Sequence, residues 1–361
     1  MFATLDRYLM RRYLVWLAIT ATALGVVAFL FNFLEMAYFA GKRGYGNASA
    51  MELALLRFPR MAFDALPLIV LVASVLCLTR LSEARAFIVI RAAGVSVWRF
   101  LTPIALTAFC LGVLSLITLA PVGTSGFYAF ENLKSELRGT EAQFSFSQNG
   151  VWLHETAPGA TTVIRAARIA PDDRLALEDP TFFIFAYDGK LHRHITAARA
   201  ILREGHWSLE NAAITDTDNR TQNRAQVMHP TSITSGDLGH HLRRPETLNV
   251  WELPRYIAAA RAAGAHISAH IVQFHGLLAL PFLLVTMVFV AAAFGLPTGR
   301  QMPTARIIGA TVMAGFSLYI FVAFTSKLAA LDLLPALLAS WSPPLIAMLL
   351  ATTVLLVRED G

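Results

Sequence analysis

The sequence predicts an α+β integral membrane protein: six transmembrane helices, with an antiparallel β jelly-roll domain inserted between the third and the fourth. Three observations carry that expectation. Of the 361 residues, 56% are hydrophobic and 15% charged, too apolar for a soluble chain of this length. Six stretches, near 13–34, 61–79, 100–120, 271–294, 307–326 and 333–357, have the composition that crossing a bilayer core of roughly 30 Å demands. Between the third and fourth, the hydropathy changes from continuous to alternating. The expected division is 1–120 for the first three spans, 121–268 for the β domain with its connecting helix, and 269–361 for the last three spans.

The first span follows "MFATLDRYLMRR". Its apolar run is long for a signal-peptide core and lacks a small-x-small cleavage site before "EMAYFAGKRG", so it reads as retained. Six spans put both termini on one side. That side carries Arg7, Arg11, Arg12, Arg80, Arg85, Arg91, Arg99, Arg300, Arg306 and Arg358, against Lys42, Arg43, Arg57, Arg60 and Lys327 in the other short loops. The excess of Lys and Arg predicts cytoplasmic termini and a cytoplasmic loop at 80–99, with the β domain outside the cytoplasm. Cys77 and Cys110 fall inside spans two and three as small apolar fillers, and no disulfide framework or thiolate zinc site follows. The net charge of +6 is spread beside the spans and forms no basic block, which excludes a nucleic-acid stripe.

In the inserted domain, "FSFSQNGVWLHE", "TTVIRAARIA", "TFFIFAYDGKLHRHITAARAIL" and "HWSLENAAIT" alternate between turn signals such as "QNG", "APGA", "DGK" and "EGH". Short alternating runs with tight turns predict an antiparallel sandwich or open jelly roll. Phe144, Phe146, Trp152, Phe183 and Phe185 share alternation parity within their runs and are candidates for lining an apolar groove. The domain ends in a surface helix in which Trp251, Tyr256, Ile257 and Ala260 recur at helical spacing before Gly264.

The chain holds neither G-x-x-x-x-G-K-[ST] nor G-x-G-x-x-G, so any ATP it uses is bound by another chain. Asp64 is the carboxylate well inside a span, within reach of Arg60. His266 and His270 lie at i and i+4, with His275 beyond, a spacing a metal could use, but no acidic third ligand is near. Asn32 and Glu35 sit at the end of span one as functional or capping residues. A membrane enzyme acting on lipid or glycan would draw on Asp64 and His266/His270. Lys42, Arg43, Arg60, Lys134 and Arg138 cluster at the non-cytoplasmic span ends, where cations could select a phosphorylated lipid headgroup.

The stretch "LSEARAFIVIRAAGVSVWRF", residues 81–100, predicts a short cytoplasmic helix between spans two and three. Phe87, Ile90 and Gly94 share a face, with Ile88 and Arg91 beside it; Gly94 suits a left-handed stop, and Ser96 a cap for the next helix. Such a helix either rests on lipid headgroups or docks into a partner.

"TLDRYLMRRYL", "FDALPLIVLVASVLCLTRLSEARAFIVIRAAGVSVWRFL" and "LPALLASWSPPL" together resemble the YjgP/YjgQ, or LptF/LptG, family of lipopolysaccharide-export permeases, with "RAAGVS" the most specific piece. The resemblance in arrangement covers the whole chain. It implies a permease without a nucleotide site of its own, in the inner membrane of a Gram-negative bacterium. This chain would pair with an LptF-like permease and two LptB-like ATPase subunits, which bind ATP and Mg²⁺, and its β domain would pass lipopolysaccharide to LptC- and LptA-like bridge proteins. The resemblance also makes the 81–96 region a coupling helix, with Phe87, Ile90, Arg91, Gly94 and Val95 contacting the ATPase. One departure stands out: the family usually carries Glu five residues before the Arg of the motif, where this chain has Ala86, with Glu83 one turn earlier.

Overall fold

The computed structural model describes every residue except 1, 43, 84–93, 138–141, 148–149, 158–159, 170–175, 187–190, 204, 217–220, 232–244, 263–266, 297–302 and 361. It forms two compact units, Met1–Phe130 with Ile271–Gly361, and Glu131–His270.

The first unit is helical: α1 (Phe2–Gly41), α2 (Asn47–Glu83), α3 (Val97–Ile117), α4 (Leu119–Glu136, whose last residues belong to the second unit), α6 (Ser268–Gly295), α7 (Thr304–Ala330) and α8 (Ala336–Asp360). Six spans of membrane-crossing length and composition result, the third running from α3 into α4. All six expected spans are present, and the helices overrun them. The boundary expected at 121 falls inside α4.

Small residues and hydroxyls hold the spans together, because lipid tails offer no hydrophobic drive between helices. A Cβ on Gly112 of α3 would lie 2.6 Å from the Pro281 Cα of α6, and one on Gly126 of α4 would lie 2.6 Å from the Leu56 carbonyl of α2. Proline frees carbonyls inside the helices, and neighbouring spans answer some of them. Pro343 removes the donor that Ala339 O would meet in α8, and Thr325 of α7 donates its hydroxyl there at 3.0 Å. Thr286 of α6 donates to Pro344 O at 3.2 Å, and Ser340 donates to Val272 O at 3.4 Å. Between α1 and α2, Tyr13 Oη and Ser74 Oγ lie 3.3 Å apart, and Asn32 Nδ2 donates to Ala54 O at 2.9 Å. Coverage is unequal: 72% of the residues in the most apolar window of α6 are buried, against 17% for α7 and 6% for α1.

The second unit is a single antiparallel sheet followed by α5 (Leu253–Ala262). Its strands among the described residues are β1 (Ala142–Ser147), β2 (Gly150–Ala157), β3 (Ala160–Ala166), β4 (Arg168–Ile169), β5 (Ala176–Glu178), β6 (Thr181–Ala186), β7 (Leu191–Thr196), β8 (Arg199–Arg203), β9 (His206–Asp216) and β10 (Thr221–Pro230). Several are halves of longer strands. β3 pairs with β6 and β4 with β5 in one continuous register, as do β6 with β7 and β5 with β8, and then β7 and β8 with the two halves of β9. The sheet is therefore a meander creased along a line through Ala167, Asp179, Ala198 and Asn211, with Asp179 and Asn211 at φ +48° and +53°.

At the crease each strand's inward parity slips by one. Leu177 gives way to Phe182 and Ile184, Ile195 to Ala200 and Leu202, and Trp207 and Leu209 to Ala212 and Ile214, yet all share one core. The slip is the sheet's way of folding over that core, as a bulge bends a strand. Contacts cross the fold: Phe182 meets Trp207 at 6.1 Å and His229 at 5.5 Å between ring centroids, and Thr231 Oγ1 donates to Glu155 Oε2 at 2.7 Å. This curled sheet is the open roll that the alternation predicts.

Candidate functional site

Charged side chains gather at two ends of the helical unit. At the end remote from the termini, α1 finishes and α2 begins, so cations of α2 meet carboxylates of both helices. Arg57 Nη1 donates to Glu35 Oε2 at 2.9 Å, with its guanidinium 5.7 Å from the Phe130 ring. Arg60 Nε donates to Asp64 Oδ2 at 3.2 Å and its head lies 5.8 Å from the Phe63 ring. Arg60 is buried, pressed by α4 where a Cβ on Gly123 would come within 3.3 Å of the Arg60 Cα. A paired cation in a low-dielectric site is held for packing as well as charge. Lys42 is different: it is exposed, with Nζ 4.6 Å above the Tyr38 ring. Of the five headgroup candidates, Lys42 and Arg60 belong to this end, Lys134 belongs to the second unit, and Arg43 and Arg138 lie outside the described residues.

The opposite end carries the link between α2 and α3. Phe87, Ile90 and Arg91, with Ala86, lie outside the described residues. Gly94 takes the left-handed conformation at φ +75°, and Ser96 caps α3 by accepting the Arg99 N–H at 3.3 Å, both as the sequence requires; Val95 between them is half-buried. Glu83 is fully engaged within the chain: Oε2 accepts from Arg80 Nη1 at 3.2 Å and Oε1 from Thr304 Oγ1 at 2.9 Å. Across the link, Arg99 Nη2 donates to Asp6 Oδ2 at 2.8 Å.

In the sheet, the register pairs Phe144 with Leu153 and Phe146 with Val151. Trp152, Phe183 and Phe185 alternate with the core residues Leu153, Phe182 and Ile184 and are half-buried on the other face, where the Arg165 guanidinium lies 5.6 Å from the Trp152 ring. Faces are matched between strands by the register, which sets Trp152 across from Arg165 and Arg165 across from Thr181, the parity of Phe183 and Phe185.

The model of the family described as lipopolysaccharide export system permease LptF/LptG matches residues 7–357. The chain belongs to the LptF/LptG family. The lipopolysaccharide export system permease protein LptG of Haemophilus influenzae is 22% identical over the full length of both chains. As an LptF/LptG permease with six spans, the chain is a multi-pass membrane protein of lipopolysaccharide export.

Membership makes the chain a transport subunit and takes the ground from the lipid-enzyme alternative. Asp64 pairs with Arg60. His270 is buried beneath the Tyr256 ring at 5.0 Å, while His266 lies outside the described residues, and no group of three metal-ligating side chains occurs among those described. Three long-range pairs escaped the sequence reading: Glu35 with Arg57, Asp6 with Arg99, and Glu83 with Thr304, the last 221 positions apart. Complementary charge at the span ends was the available signal. It could not choose partners.

Proposed function

We propose that this permease is of the LptG type, the half of an ATP-driven transporter that takes lipopolysaccharide from the outer leaflet of the bacterial inner membrane and passes it to a periplasmic bridge. The supporting observation is the family match along almost the whole chain, joined to "TLDRY" and "SWSPPL", which look LptG-like where the alternative is the paralogous LptF. An LptF-like permease completes the membrane part. Two LptB-like ATPases bind ATP and Mg²⁺, and LptC- and LptA-like proteins receive the lipid. Positive-inside charge sets the termini in the cytoplasm and the β domain in the periplasm.

The steps this chain performs are mechanical. The 87–95 segment meets the ATPase through Phe87, Ile90, Arg91, Gly94 and Val95, so closure of the ATPase dimer displaces it. At the periplasmic span ends, the exposed Lys42 with Arg43 attracts the lipid's phosphates, while the carboxylates of Glu35 and Asp64 bound how much positive charge the site presents. Lys134 and Arg138 are further candidate cations for the headgroup. Acyl chains then follow apolar side chains of the β domain, for which Phe144, Phe146, Trp152, Phe183 and Phe185 are the candidates, the last three half-buried on one face of the sheet.

Co-expression with the candidate partners, followed by native mass spectrometry and ATP-driven release of lipopolysaccharide from vesicles, tests this reading. The expected particle holds one copy of this chain, one LptF-like permease and two ATPases. Ile90→Asp should strip the ATPase, since a carboxylate buried in an apolar groove costs on the order of a few kcal/mol. Lys42→Glu with Arg43→Glu should lower co-purified lipopolysaccharide while ATPase activity persists. A particle with two copies of this chain, or export unaffected by Ile90→Asp, refutes it.

A further inference from the structure

Folding along the crease sets two leaves of the sheet against each other. One leaf holds β2, β3, β6, β7 and the second half of β9; the other holds β4, β5, β8, the first half of β9 and the end of β10. Backbone joins them at the crease, where the N–H groups of Ala167 and Ala198 donate to Glu178 O and Glu210 O at 3.0 Å and that of Asp179 donates to Ala198 O at 3.1 Å. Away from it, the described ladders pair β2 with β1 and β3, and β10 with β9, so they do not tie the two edges together.

Side chains make that tie. At the start of β3 and the end of β10, remote from the crease, Thr231 Oγ1 donates to Glu155 Oε2 at 2.7 Å and His229 Nε2 lies 3.5 Å from Thr162 Oγ1. Each partner is anchored in its own leaf. Thr231 N–H donates to Gly205 O at 3.0 Å, in the turn between β8 and β9, while Glu155 and Thr162 are opposed in the β2/β3 register. Glu155 and Thr162 are buried, on the same parity as the core residues Leu153 and Ile164. A carboxylate turned inward among apolar side chains is costly unless hydrogen bonds hold it. An apolar pair of the same shape would close this edge at least as well, so the polar pair is not explained by stability alone.

The interior behind these pairs also resists closure. Trp207 is fully buried with its ring 6.1 Å from that of Phe182, and its indole N–H has no acceptor among the described residues. A buried donor left unmet raises the free energy of the closed form, and an acceptor brought in from outside would lower it.

We propose that Glu155 with Thr231 and Thr162 with His229 form a clasp opposite a hinge. When the clasp releases, the leaves part about the crease and take an alkyl chain into the core, where the Trp207 N–H meets an ester or hydroxyl oxygen carried on that chain. This rests on the reading of the β domain as the lipid's path. Because side chains and no strand ladder hold the edge, the leaves separate without breaking a strand pair.

The test uses the complete complex in vesicles of phospholipid and lipopolysaccharide. Opening is read as the rate at which N-ethylmaleimide labels Leu202→Cys, a core position, followed by peptide mass spectrometry. Adding Thr231→Val should raise that rate about tenfold, the effect of losing one hydrogen bond to a charged group, and Thr231→Ser should leave it unchanged. Ser208→Ala is the control: it removes the bond from Gln226 Nε2 at 2.9 Å, which lies within one leaf, and should not change the rate. Separately, Glu155→Cys with Thr231→Cys, joined by a reducible bis-methanethiosulfonate bridge, should stop ATP-driven release of lipopolysaccharide while ATP turnover continues, and reductant should restore release. Equal labelling with and without Thr231→Val, equal effects of Thr231→Val and Ser208→Ala, or release that continues through the bridged form overturns the proposal. Failure of the lipid-path reading is seen apart from this, as an unbridged complex that releases no lipopolysaccharide, and the labelling rates still decide the clasp.

Discussion

His229 stands on the core side of β10, its ring 5.5 Å from that of Phe182 and its Nε2 3.5 Å from the Thr162 hydroxyl. Burial pushes the imidazole below its ordinary pKa; Glu155 pulls it back up and Arg193 pushes it further down. The folded chain therefore binds fewer protons than the unfolded chain once the pH falls through about 6.5, so stability is complete above that value and declines below it. In thermal unfolding of the purified complex, the β-domain transition should fall between about pH 7.5 and 5.5, and His229→Gln should flatten that fall. Equal pH slopes in both proteins would contradict the assignment. At this scale, legibility followed sequence distance. Arg60 with Asp64 was readable because four positions bring side chains together on a helix, and Ser96 because a cap is local. Glu83 with Thr304 was not, since nothing local records which helix end another carboxylate will reach.

The elements were readable in kind and underread in length. The apolar run at 13–34 reports bilayer thickness, whereas α1 spans Phe2–Gly41 because backbone hydrogen bonding continues through Arg11, Arg12 and Glu35. Likewise, alternation revealed the strands of the sheet but not the crease, since a one-residue slip at Asp179 or Asn211 resembles an ordinary irregularity in a single strand. Close helix contact was equally silent: Gly112 and Gly276 look alike in sequence, but a Cβ on the first would come 2.6 Å from the Pro281 backbone and one on the second would meet nothing within 4 Å. Gly112→Val should destabilise the α3/α6 pair by about 1–3 kcal/mol, and Gly276→Ala should be neutral or stabilising. Thermal unfolding in detergent of both variants, assembled with the partner permease, checks the contrast; equal melting temperatures would argue against it.

At the scale of the molecule, six spans with an inserted antiparallel sheet followed from hydropathy alone, because continuous and alternating runs leave different marks on the same composition. The common face of Trp152, Phe183 and Phe185 is not legible in the sequence, since it depends on which strands pair. The crease carries a consequence for how the roll breathes. On the edge away from β10, which pairs with both halves, Asn211 divides β9 into halves that pair with different strands, β8 before it and β7 after it, so breaking one of these sets leaves the other set's donors and acceptors matched. Amide hydrogen exchange on the intact complex should resolve two separately opening units, His206–Glu210 with β8 and Ala212–Asp216 with β7, each with its own protection factor. A single uniform protection across Asn211 would mean that the sheet opens as one piece. If the two halves open apart, the domain can part along one flank to admit a guest while the remaining flank keeps its register and guides reclosure.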